Sequence, residues 1–476
     1  MSKTSTDTLH VASLGVDAFD RAFTETDTPF VRLDWRPPAQ GRTDLVDILF
    51  KLETACVDDQ GNSLIEAANK EALSRIIKGQ PVVKRFRPAN ECIPGMTKTS
   101  IFHAGPPVHW DNMCGPMRGA YVGALKYEGL ARTDSEAEDL MASGKITYGP
   151  NHPNKCVGPM TGMISYSMPL WEVENEAFGN KAYCTMNEGI GKVMRFGANG
   201  PEVIDRLKWI QNVMAPVVDE ALVMVGGINL KNIAAQSLAM GDEMHQRNVA
   251  ASLNCYKAFA AELAKVAAGN TDGPAVIEFI VKKNEQFFLN LAMAMGKALM
   301  DPVRGIEYST VISCMSRNGV NFGINVSALG DTWYEAPCLL PQALYFPGYS
   351  EADANPDMGD SAIVECYGVG GFAMGSAPAV VRFVGAGTLQ DALDFTRSMG
   401  RITVGPNPDL PMPNMDFAGV PTAIDIRKVV ETGILPVINT GVAHNKAGIG
   451  QIGAGIVTPP MDIMIMGLEA FAKKYL

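Results

Sequence analysis

Two stretches decide the fold: Pro201-Glu-Val-Ile-Asp-Arg-Leu-Lys-Trp-Ile-Gln-Asn-Val-Met-Ala-Pro-Val-Val-Asp-Glu-Ala-Leu-Val-Met224, closed by Gly226-Gly227, and Asp272-Gly-Pro274 through Met300, closed by Asp301-Pro302. Each opens with proline in its first turn, where the missing N–H costs nothing, and each ends on a glycine or proline stop. Between them, Leu230 to about Val266 reads as a further helix. On the last helix Ile280, Phe287, Leu291 and Met295 fall on one stripe, which reads as core. Residues 201–304 are therefore expected to be helical.

Working outward, both flanks change texture. Pro81-Val-Val-Lys-Arg reads as a strand, as does Ala362-Ile-Val-Glu-Cys-Tyr367, which runs into the turn Gly368-Val-Gly370-Gly371 and a helix-like stretch from Phe372 to Val381. Leu435-Pro-Val-Ile-Asn-Thr440 leads to Gly441-Val-Ala-His444. Strands and helices interleaved on both sides of a helical block predict an α+β (mixed α/β) chain. The expected organisation is an N-terminal segment (1–29), an N-terminal α/β domain (30–200), a small helical domain (201–304) and a C-terminal α/β domain (305–476).

Composition narrows the classes. The 476 residues carry a net charge of -11, with only 19% charged residues, 26 Met and 47 Gly. No basic stripe points to nucleic acid. The most apolar helical run, Phe287 to Met300, is too short to span a membrane. Nine scattered cysteines without a CxxC pattern, together with a polar Met1–Thr8, read as a reduced, cytoplasmic protein. Low charge and high Met favour burial against other subunits over a large monomer.

A doubled motif, Gly115-Pro-Met117-Arg-Gly119 and Gly158-Pro-Met160-Thr-Gly162, follows two histidine-bearing, proline-broken segments, His103-Ala-Gly-Pro-Pro-Val-His109 and Tyr148-Gly-Pro-Asn-His152. Proline and glycine at this density predict rigid turns rather than helix. His103 and His109 are candidate oxyanion or substrate contacts. Asn187-Glu-Gly189-Ile-Gly191-Lys192, followed by Arg195, offers free N–H groups and cations for an anion such as phosphate; the alternative is a turn with a solvated lysine. Gly448-Ile-Gly450-Gln-Ile-Gly453 matches GxGxxG, but the following Pro459-Pro460 rules out the required helix. With Asn439, Thr440 and His444 it reads as a mobile or anion-binding loop.

Within the expected second helix, Asp242 and His245 would lie one turn apart, as would Glu243 and Arg247. A carboxylate beside histidine suits proton transfer; a solvent-facing patch is the plain alternative. Arg317, with Asn318 in the same turn, could clamp a carboxylate or phosphate, although such turns are more often structural. No HExxH or paired-cysteine pattern points to a metal, and no GxSxG elbow to a covalent nucleophile.

Taken in order, Pro37-Pro38-Ala39, the His103 segment, the GPM pair, Asn187–Gly197, Gly241-Asp-Glu-Met-His-Gln-Arg-Asn248, Arg317-Asn-Gly, Gly359-Asp-Ser-Ala, Gly370-Gly-Phe-Ala-Met374 and Ile438-Asn-Thr-Gly-Val-Ala-His444 resemble the family of YlbE, YahG and AllG over nearly the whole chain from about residue 30. The resemblance implies two larger mixed domains around a small helical one, and an FdrA-like partner related to the CoA-binding subunit of succinyl-CoA synthetase. It further implies a subunit of an oxamate carbamoyltransferase of allantoin breakdown, converting oxalurate and phosphate to oxamate and carbamoyl phosphate. Beyond these substrates it implies no cofactor. The Ser-Thr-Arg-Thr phosphate loop of ordinary carbamoyltransferases is missing from the sequence, so other cations or the partner must hold the anion. A non-catalytic scaffold for the FdrA-like enzyme is the alternative, and a hydrolase or lyase of small amide or ureido acids is a third reading.

Overall fold

Helix fills the middle of the chain in the computed structural model, which describes residues 11–14, 17–32, 36–189, 191–385 and 387–476. The Met1–Thr8 stretch lies outside them. The fold is mixed α+β, built from several small sheets with helices packed between them.

The first helix runs from Pro201 through Val225 without a break, widening to a π turn at Ile210–Met214. Pro216, two residues on, has no N–H for the carbonyl one turn back, and a π turn is a common way to absorb that loss. Gly226 ends the helix in the left-handed conformation. The last helix also contains a π turn, Phe279–Lys283, breaks at Asn284 and resumes as Phe288–Met300. Ile280, Phe287, Leu291 and Met295 are all buried in the largest hydrophobic core, as their stripe predicted.

The expected continuous helix from Leu230 to Val266 is not formed. It ends at Ala239 and restarts at Val249, leaving 240–248 as a loop. Gly241 and Met244 take positive φ. The Glu243 carboxylate accepts from the backbone N–H groups of His245, Gln246 and Arg247, the donors a continuing helix would need.

A five-stranded sheet runs in the order Ile228–Asn229, Pro81–Pro88, Pro169–Asn175, Asn180–Thr185, Cys156–Val157; only the last pair is parallel. Phe288–Met300 packs on it through Trp171 and Phe287. In the C-terminal third, Ile312–Asn318 and Asn321–Val326 form a hairpin flanked by Tyr334–Pro337 and Met358–Gly359. Ile438–Ala443 and Gln451–Val457 pair as a second hairpin with Gln342–Tyr345 at its edge. The GxGxxG match therefore spans a hairpin loop and a strand.

Two local expectations are corrected. Ala362–Tyr367 is helical up to Cys366 and a turn at Tyr367, with Asp360–Ala362 as a 3-10 turn and Ile363–Cys366 as α-helix, and every residue of it is buried. A short apolar run buried on all sides carries no period to separate strand from helix. The two GPM copies also differ. The first opens the helix Gly115–Tyr127, with Pro116 in its first turn, and a Cβ at Gly119 would lie 2.4 Å from the Gly197 carbonyl oxygen. The second is a tight turn with Met160 at φ 56°.

Asp360 gathers these loops. Its buried carboxylate accepts from Gly105 N (3.0 Å), Asn151 Nδ2 (2.8 Å), Gly158 N (2.9 Å) and Ser316 Oγ (2.5 Å), with His152 Nε2 at 3.3 Å. Gly105 sits at φ +88°, and a Cβ there would lie 2.5 Å from Asn318 N, so only glycine permits the approach. Burial opposes the charge, but the His152 ring and the hydrogen bonds hold the Asp360 carboxyl below its ordinary value.

Asp360→Asn offers one acceptor oxygen where two are in use and should lower stability by roughly 3–5 kcal/mol at pH 7, read from urea denaturation. Because the folded-state pKa is depressed, this stabilisation is present above the ordinary aspartate value of 3.8 and lost as pH falls below it. The gap between wild type and variant should close in acid.

Candidate functional site

A cavity of about 390 Å³ opens where distant segments meet. The second GPM turn supplies Pro159 and Met160, and the glycine segment supplies Gly189, Gly191 and Arg195. The 240–248 loop brings His245 and Gln246; Ser361, Gly441 and Gly450 close the far wall. Phe346, Phe383 and Ile449 rim it and are substantially exposed.

His245 is 5% exposed, and its Nδ1–H donates to Glu365 Oε1 at 2.7 Å. Glu365 Oε1 also accepts from Gly371 N (3.0 Å) and Asn439 N (3.3 Å), which marks it as the acceptor and fixes the proton on His245 Nδ1. His245 Nε2 then has no protein partner among the described residues. A carboxylate-oriented imidazole with one free nitrogen can take and return a proton. Gly370 keeps the approach open, since a Cβ there would come 2.1 Å from Glu365 Oε1.

Arg195 supplies the cation. Its Nη1 donates to Asn187 Oδ1 (2.8 Å) and its Nη2 to the Gly189 carbonyl (2.9 Å), while the guanidinium lies over the Phe196 ring. The nearby Glu188 carboxylate is occupied by Met194 N and Arg195 N. Among the described residues no carboxylate lies within ion-pair distance of the Arg195 guanidinium. Burial pulls its pKa down, although the Glu188 charge opposes this. An arginine without an ion pair on a cavity wall is suited to an oxyanion.

The sequence candidates divide sharply. His245, Arg195, Gly189 and Gly191 meet in the cavity, with Asn439 just behind it, donating from Nδ2 to Glu243 Oε2 at 3.1 Å. Asp242 is not the partner of His245. With no helix through 240–248, it turns instead to cap Ala251 N at 2.8 Å and to pair with Arg247 at 3.2 Å. Arg317 is fully buried and bonded to Asp357 (2.6 Å), the Gly359 carbonyl (2.8 Å), Ser361 Oγ (3.3 Å) and Thr440 Oγ1 (3.4 Å), and Thr440 donates to the same Asp357, so neither lines the cavity. Asn318 caps its own hairpin turn, accepting from Val320 N and Asn321 N.

Lys192 is exposed and outside the cavity wall. His103 is buried, bonded to the Ala104 carbonyl, and held neutral by burial. The His109 side chain is 69% exposed beside Asp111. His444 accepts from Lys446 N within the hairpin loop and stacks edge-on with Tyr349. The residue that sequence reading missed is Glu365. Its signal was a lone carboxylate inside an apolar run, which is costly to bury without a partner.

The chain is 44% identical to the uncharacterized protein YahG of Escherichia coli K12, over 98% of both chains. It is 46% identical to the oxamate carbamoyltransferase subunit AllG of the same organism, covering 86% of this chain and 98% of that one. It belongs to the AllG/YahG family. The family model described as oxamate carbamoyltransferase subunit AllG matches residues 146–361. A solved structure from Enterococcus faecalis V583, a conserved protein of unknown function, superposes with a TM-score of 0.84 at 42% identity, covering 87% of this chain and 98% of that one. The matched AllG segment contains the second GPM turn, Arg195 and His245, and ends just before Glu365. Among the described residues no helix is long and apolar enough to cross a membrane.

Behind His245, burial pushes the Glu243 carboxyl up to about 7, against the pull of His245 and of the hydrogen bonds it accepts. A raised carboxyl favours folding most below its ordinary value of 4.5, and that contribution fades as pH rises toward 7. At 1.36 kcal/mol per unit the span is on the order of 3 kcal/mol. Glu243→Gln should flatten the stability profile between pH 4.5 and 7, measured by denaturant titration at each pH; an unchanged slope would remove Glu243 as its source.

Proposed function

We propose that this chain is the subunit of a multi-subunit carbamoyltransferase-type enzyme that holds the oxyanion and moves the proton. The reaction is oxalurate with phosphate to oxamate and carbamoyl phosphate, carried out with an FdrA-like partner. The observation that carries the reading is the Arg195 guanidinium, without a carboxylate partner among the described residues, sharing one cavity with the His245–Glu365 dyad.

In this reading Arg195 orients phosphate and the substrate carboxylate, and stabilises the charge that develops on the ureido oxygen. A phosphate oxygen bonds to the ureido carbon while His245 Nε2 takes the proton of the attacking hydrogen phosphate. The carbon–nitrogen bond then breaks, its electron pair stays on nitrogen, and His245 returns the proton there to release oxamate. Glu365 stabilises the imidazolium between the two transfers. Phosphate, carbamoyl group and proton balance without a cofactor.

The test is phosphate-dependent cleavage of oxalurate by the chain assembled with its partner. His245→Asn should lower kcat by roughly 10²–10⁴-fold. Arg195→Met should chiefly raise the KM for phosphate, and Glu365→Gln should cost roughly 10–100-fold by loosening the imidazole. If both His245→Asn and Arg195→Met complexes assemble and turn over like wild type, the chain is a scaffold and the chemistry belongs to the partner.

A further inference from the structure

The loop that presents His245 has a second face. A separate cavity of about 300 Å³ is lined by Leu238, Gly241, Arg247, Ser376, Pro413 and Asn414. His245 and Gln246 line the first cavity and Gly241 and Arg247 the second, so one short loop forms a wall of both. We infer that the second cavity is a distinct binding site for a small oxyanion, carboxylate or phosphate, with Arg247 as its cation.

Arg247 is loosely held for a residue of this interior. Its Nε lies 3.2 Å from Asp242 Oδ1, off the hydrogen-bond axis, and its Nη1 reaches the Gly241 carbonyl only at 3.4 Å. Arg317, by contrast, is locked at 2.6 and 2.8 Å and fully buried. The Arg247 side chain is 43% exposed, which leaves the guanidinium fork able to take a planar anion in two hydrogen bonds. Among the described residues no carboxylate-bearing residue lines the cavity. Ser376 does, and its hydroxyl, 2% exposed at the residue level, makes no hydrogen bond among the described residues. Asn414 uses its amide on the Gly375 carbonyl at 3.1 Å and keeps a second N–H and its oxygen. A cation, an unpaired buried hydroxyl and an amide lining one cavity fit the donor demands of a carboxylate or phosphate.

The site also reaches the first cavity through one group. The backbone N–H of Arg247 and that of His245 both donate to the Glu243 carboxylate, at 2.7 and 3.2 Å. Whatever grips Arg247 therefore bears on the carboxylate that also holds the His245 backbone N–H. The binding inference does not depend on the reaction proposed above.

Calorimetric titration of the full chain with inorganic phosphate, and separately with oxamate, tests it. Wild type should bind two anions per chain, Arg195→Met one, Arg247→Met one, and the double variant none. Ser376→Ala, which breaks no ion pair, should weaken the second site about tenfold and serves if Arg247→Met fails to fold. Phosphate added to the Arg195→Met protein should raise amide exchange protection at 245–247. A stoichiometry unchanged by Arg247→Met and Ser376→Ala overturns the inference. Loss of a site in Arg247→Met but not in Arg195→Met sustains it and removes instead the anion role given to Arg195.

Discussion

One buried carboxylate fixes the geometry of everything around it. Asp360 takes hydrogen bonds from both proline-broken loops, through Gly105 on one side and Asn151 and Gly158 on the other, and from Ser316 in the central hairpin. Four donors and a histidine offset the cost of burying the charge. Arg317 does the same next door, joining Asp357, Gly359 and Thr440. The second GPM turn is thereby held rigid, and Met160 is placed on the cavity wall rather than in the core.

The site rests on that frame in a graded way. The polar groups of the frame are buried and bonded within the protein, Arg317 to Asp357 and Asp360 to the loop donors. Those that face the cavity, Arg195 and His245, each retain unspent capacity among the described residues: a guanidinium without a carboxylate, and an imidazole nitrogen without a partner. Preorganised groups of this kind act on a ligand without first breaking bonds to the protein.

How much of this was legible in the sequence follows from which forces are local. Helix stops and caps are local, so the ends near Val225 and Met300 and the core stripe of Phe287 and Leu291 could be read directly. The break at 240–248 could not, because it depends on a side chain outcompeting the backbone ladder, and Glu243 has good helix propensity. The strand reading of Ala362–Tyr367 failed for want of a period. Arg195 and His245 were found because their residue types stand out in glycine-rich or apolar surroundings. Their separation from the frame arginine was invisible: Arg317 resembles a ligand clamp until its partners, 40 and 42 residues away, are seen. Glu365 was hidden for the same reason, pairing with a histidine 120 residues distant.

The span of the Asp360 contacts has a kinetic consequence. The hydrogen bonds that Asp360 accepts from Gly158, Asn151 and Gly105 bridge 202, 209 and 255 residues. Loop closure over such distances is slow, and during synthesis these amides have only water as a partner until the chain has grown past residue 360. The histidine-bearing loops of the N-terminal third must therefore wait, unpinned, for the C-terminal third to arrive. The cavity is a late product of folding, complete only when the loops at 105–158 have met Asp360.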